Sequence, residues 1–74
     1  MEETVQRAFY SVLPYLVYPQ ELRMLLEKKS VMTPSVLIEE LKKESLTLDE
    51  VRRTDIRIFL NELERLIRAG AGGV

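Results

Sequence analysis

The chain contains no cysteine, no histidine and no tryptophan, and its three glycines all fall in the last five residues. Without cysteine a disulfide framework is excluded. Without cysteine and histidine a structural zinc is nearly excluded, because carboxylates alone favour hard ions. No catalytic triad, thiolate nucleophile or imidazole base can be assembled. The clustering of glycine at the end removes a glycine-rich phosphate loop. Long apolar runs are also missing. The longest, Ala8 to Val17, is interrupted by Ser11 and Pro14 and falls short of the roughly 20 residues of a membrane helix. Glu2 and Glu3 stand where a signal peptide would carry positive charge, so a cytoplasmic location is expected.

What is present is a small, mixed-charge chain of 74 residues with net charge −1. Such a length folds as one domain and buries only about 60% of its unfolded surface. Its stability must come from helix packing or self-association. The expected domain is 1–70, with 71–74 a flexible tail that has nothing to bury. One Asn and two Gln against abundant Glu, Lys, Arg and Leu give a thermophile-like usage.

No segment alternates with period two, so strands are not expected and the fold class is all-α, with four or five helices. The first helix begins near Glu2, and Val5, Phe9, Val12, Leu13 and Leu16 form its stripe. Pro14 must kink or break it. With Tyr10, Tyr15 and Tyr18 pointing elsewhere, this segment is apolar on nearly every side. The second helix opens at Pro19, followed by Glu21, and buries Leu22, Leu25 and Leu26. The third has Thr33 as N-cap, Pro34 as first residue, Met32 with Leu37 as hydrophobic staple, and Leu37, Ile38 and Leu41 inside. Thr47-Leu48-Asp49-Glu50 reads as a capping box for the last helix, with Leu46 and Val51 as staple. Ile56, Phe59, Leu60, Leu63, Leu66 and Ile67 then make a long stripe, ended by Gly70. Two readings fit residues 48–69: one helix burying two faces, or a break at Thr54. The competent caps Thr54 and Asp55 favour the break.

Adjacent carboxylates (Glu2/Glu3, Glu39/Glu40, Asp49/Glu50) diverge on a helix, and nothing near them predicts the burial that acid–base work needs. No enzyme activity and no cofactor are expected. The three tyrosines beside Phe9 could stack on bases, but only Arg7 and Arg23 lie near them, and stacking platforms interleave basic residues. Interface or core packing is the simpler use. Phe9, Tyr10, Tyr15 and Tyr18 are therefore expected to hold a homodimer through residues 5–18, with Ile58 a secondary contact.

Opposite the last stripe stand Arg53, Arg57, Asn61, Arg65 and Arg68. Arg reads guanine and Asn reads adenine in the major groove, and Arg also grips phosphate. The bland alternative is a solvated, salt-bridged face, with Glu64 placed to pair with Arg68 and Glu62 and Asp55 on its flank.

The order of helices, a Thr-Pro-capped helix from Thr33, a short polar turn and a long helix ending L-x-x-L-E-R-L-I-R-A-G resemble the trihelical core of helix-turn-helix and winged-helix DNA-binding domains. The matching stretch runs from Thr33 to Gly70. Gly70 comes later than in the common L-E-x-x-G ending, the turn Glu44 to Thr47 lacks glycine, and the wing is absent. The resemblance implies that the helix carrying Arg57, Asn61 and Arg65 is a recognition helix. It implies a small non-enzymatic DNA-binding protein acting as a transcriptional regulator, with duplex DNA as partner. The other reading is a helical protein–protein interaction or assembly module. Charge geometry separates them: one exposed arginine patch favours DNA, and arginines each paired with a carboxylate favour the assembly module.

Overall fold

The computed structural model of the chain describes residues 1–70; the expected tail at 71–74 lies outside them. Four α-helices follow in order: α1 (Glu3–Val12), α2 (Pro19–Lys28), α3 (Pro34–Ser45) and α4 (Glu50–Arg68), with a 3₁₀ turn at Leu13–Tyr15 between the first two. No strand occurs among the described residues. The fold is all-α, as composition and periodicity require.

Pro14 breaks the first helical segment as expected. It sits inside the 3₁₀ turn, and Leu16 leaves that turn in extended backbone. The change of direction alters what α1 exposes. Val5, Ala8, Phe9, Val12 and Leu16 all go into the core. Tyr10, Tyr15, Val17 and Tyr18 stay exposed, so the core covers one side of this segment and not all of it. Phe9 leaves the interface set, because its ring is buried, touched on its edge by Tyr10 with centroids 5.5 Å apart.

α2 and α3 begin where their prolines predict. The Thr33 hydroxyl accepts the Val36 N–H at 3.4 Å, and Pro34 occupies the first helical position, where a missing N–H costs nothing. Leu22, Leu26, Leu37 and Leu41 are buried, while Leu25, Ile38 and Met32 pack at the core margin.

The entry to α4 differs from the capping-box reading. Asp49 is the N-cap, its carboxylate accepting the Arg52 N–H at 3.3 Å. Thr47 is still committed to the trailing turn of α3: its N–H and hydroxyl both go to the Glu44 carbonyl, at 3.1 and 2.9 Å. The chain winds on through Leu46, Thr47 and Leu48 with i→i+3 bonds before the cap is reached. Leu46 and Val51 are exposed, so they form no staple, and Leu48 packs against the core instead. Asp49→Ala is therefore expected to lower the urea midpoint measurably. Thr47→Ala should move stability by less than about 0.5 kcal/mol. The reverse order would put the helix start back at Thr47.

The break at Thr54 does not occur. Thr54 bonds its hydroxyl back to the Glu50 carbonyl at 2.9 Å, and α4 runs unbroken for 19 residues. At 1.5 Å per residue it is about 28 Å long, close to the longest dimension of the molecule, 33 Å. Continuity is what lets Ile56, Phe59, Leu60, Leu63 and Leu66 share one buried ridge. α4 packs against all three other helices, most extensively α1, and is the spine of the fold. Gly70 ends it with φ +79°, and its N–H bonds the Ile67 carbonyl at 3.0 Å, the 5→2 bond that orphan carbonyls at a helix end need.

Candidate functional site

Three places on the molecule carry chemistry: the outward face of α4, the tyrosine-bearing edge at the Pro14 turn, and a buried polar junction linking α4 to the start of α2.

Arg53, Arg57, Asn61, Arg65 and Arg68 are all exposed on α4. Their charges are not equally committed. Arg65 forms a fork with Glu62, Nε and Nη2 each 2.9 Å from a carboxylate oxygen. This pairing holds the Glu62 carboxyl below its ordinary range and raises the Arg65 guanidinium. Arg53 donates to the Leu48 carbonyl at 2.9 Å. Glu64 reaches Lys42 on α3 at 3.7 Å rather than Arg68. Among the described residues Arg57 and Arg68 make no ion pair within 4.0 Å. The face is neither one open basic patch nor fully paired.

At the Pro14 turn, Tyr15 is 71% exposed, Val17 62% and Tyr10 46%. Tyr18 is 37% exposed because the Arg52 guanidinium covers its ring, 4.2 Å from the centroid. That stack takes one face of Tyr18 away from any partner. Ile58 is half-buried against the core margin, a smaller contact than the sequence suggests.

The polar junction was not read from the sequence as a site. Asp55 is 3% exposed. Its two carboxylate oxygens accept the N–H of Val17 at 3.0 Å and of Tyr18 at 2.8 Å. These amides precede Pro19, so a side chain of α4 satisfies the donors at the start of α2, where negative charge also suits the helix dipole. Three residues earlier, Arg52 donates through Nε and Nη2 to Glu21 at 2.7 and 3.1 Å and through Nη1 to Asp49 at 2.7 Å. Hydrogen bonds from Arg52 hold the Glu21 and Asp49 carboxyls below their ordinary range, and Glu21 and then Asp49 raise the guanidinium. All three groups are solvent-exposed, so the triad orients the entry of α2 more than it stabilises the fold. Above the junction lies an open cleft of about 290 Å³ between α2 and α4, floored by Leu22 and Ile56 and edged by Met24, Leu25 and Lys28.

No helix among the described residues is long and apolar enough to cross a membrane. No known family model, curated protein or solved structure matches this chain.

Proposed function

We propose that this protein is a non-catalytic helical interaction module that self-associates through the tyrosine-bearing edge of α1 and the turn that follows it. The observation that carries this reading is the exposure of Tyr10, Tyr15 and Val17 together around Pro14, in a chain whose other large apolar side chains on α1 are buried. Tyrosine offers a large apolar body with one polar end and is enriched at interfaces. A two-fold pair lets the same surface serve both chains. Light scattering at micromolar concentration is expected to give a mass near twice the 8.6 kDa of the monomer. A mass that stays at the monomer value would sink the homodimer.

The second reading is a helix-turn-helix-like DNA-binding regulator. It is favoured by Arg57 and Arg68, exposed and without carboxylate partners among the described residues, on the same outward face as Asn61. Glu50, Glu62 and Glu64 border that face, which weakens its attraction for phosphate and places this reading second. Duplex binding measured by fluorescence anisotropy at low salt tests it. If the reading holds, Arg57→Ala and Asn61→Ala each weaken binding by about 1–3 kcal/mol with thermal stability nearly unchanged. Absence of binding at low salt, where counterion release is most favourable, removes it.

A further inference from the structure

Five charged residues line the cleft between α2 and α4, and four of them are committed within the fold. Both Asp55 oxygens hold backbone amides. Both Glu21 oxygens accept from Arg52, which also donates to Asp49. Glu44 pairs with Lys29 at 3.5 Å. The fifth is Lys28. It is exposed and, among the described residues, forms no ion pair within 4.0 Å. Helical spacing offers it no acid either: the residues three and four positions away are Met24, Leu25, Val31 and Met32, where a carboxylate would have to stand to pair along a helix. An uncommitted ammonium therefore edges a cleft floored by the buried Leu22 and Ile56, with Leu25 and Leu48 packed at the core margin.

We propose that this cleft binds a medium-chain monocarboxylate, with its carboxylate on the Lys28 ammonium and its alkyl chain laid past Leu25 onto Leu22 and Ile56. Small-molecule sites are mostly apolar, and a few polar groups fix the orientation of what they hold. Here one charge is left to do that. Lys28 is the last α2 residue of the lining, and Leu22 stands six positions before it, roughly 9 Å along the helix, close to the reach of an extended octanoate. A volume of about 290 Å³ is at the small end of ligand sites, which suits that chain better than a long-chain acid. The sign and number of charges follow from the rim. An alkyl amine would meet the Lys28 charge. A phosphate monoester carries about two negative charges and would meet Glu21 and Glu44 against a single uncommitted cation. The site is separate from the proposed self-association edge, because Tyr10, Tyr15 and Val17 do not line the cleft.

Titrating the ¹⁵N-labelled full chain with sodium octanoate, octanamide and sodium butanoate tests the site by amide chemical shifts. Octanoate is expected to shift Leu22, Leu25, Lys28 and Leu48 saturably, with a Kd on the order of millimolar for so small a ligand. Butanoate keeps the charge and loses most of the chain, and should bind more than about tenfold more weakly. Octanamide keeps the chain and loses the charge, and should bind about three- to fivefold more weakly, the scale of an exposed ion pair. K28M should erase the preference for octanoate over octanamide while melting with the wild type, since Lys28 is exposed; K28Q repeats the reading with a polar side chain. Octanoate shifts that never saturate, or that gather away from the cleft, would overturn the proposal. Equal affinity for octanoate and octanamide would overturn it too, as would a preference that survives in K28M and K28Q. The self-association reading is decided by mass in light scattering and not by these shifts, so the two can fail separately.

Discussion

Phe59→Ala is expected to cost about 3–5 kcal/mol of unfolding free energy, enough to leave much of the protein unfolded at room temperature. Phe59 is completely buried at the middle of α4, the helix that contacts all the others. Its neighbours on the ridge, Ile56, Leu60 and Leu63, are buried as well, so no exposed flank can collapse into the space a missing ring leaves. The cost therefore combines the lost transfer of an aromatic side chain with an unfilled cavity. A single core in a chain this short supplies about 3–5 kcal/mol in total, so the substitution removes most of the margin. Urea denaturation followed by circular dichroism measures it, with Ile58→Ala as the matched control. Ile58 lies on the same helix but only half-buried, so its truncation should cost distinctly less. Equal losses at the two positions would mean that α4 is not the spine of the fold.

The ridge from Ile56 to Leu66 was legible because a buried helical face repeats every three to four residues, whatever it packs against. Thr33-Pro34, Pro19 and Gly70 were legible for a different reason: each acts on the backbone within a few residues of itself. The start of α4 was misplaced at Thr47, because Asp49, two residues on, is an equally competent N-cap and takes that role. The choice between them turned on how far the last turn of α3 winds, which depends on Leu48 rather than Leu46 reaching the core. The false break at Thr54 came from counting Thr54 and Asp55 as caps for their own helix. Asp55 acts across the fold, on amides 38 and 37 residues earlier in the chain. One signal for it was present. Asp55 lies four residues before Phe59 and eight before Leu63, on the ridge that goes inward, and a carboxylate there must find donors or leave the core. The outward face of α4 shows the opposite limit. Periodicity places its arginines outside, but whether each is paired depends on rotamers and on α3: Glu62 takes Arg65 while Lys42 takes Glu64.

Asp55→Ala should destabilise the protein by about 2–4 kcal/mol, out of proportion to the few atoms removed. A hydrogen bond to a charged group contributes about 1.5–3 kcal/mol, and a donor left without a partner in a protein interior costs about 1–3 kcal/mol. Here one carboxylate serves two amides, at 3.0 and 2.8 Å, both only partly buried, so water recovers some of the loss. The damage is also directional. Val17 and Tyr18 form the connector that turns the chain from the Pro14 break into α2, and Asp55 is its only side-chain anchor among the described hydrogen bonds. Released from it, the connector loosens the seat of Leu16 and Leu22, which flank it in sequence and are both buried. Asp55→Asn separates charge from shape. The amide can accept one N–H through its oxygen, but its NH₂ then faces the second N–H, donor against donor. Asparagine should therefore recover less than half of the loss. Hydrogen exchange gives the local reading: the amides of Val17 and Tyr18 should lose protection in both variants, while those in the middle of α4 fall only as global stability falls. If Asp55→Asn were as stable as the wild type, the junction would be held by packing around the Arg52–Tyr18 stack and not by the carboxylate.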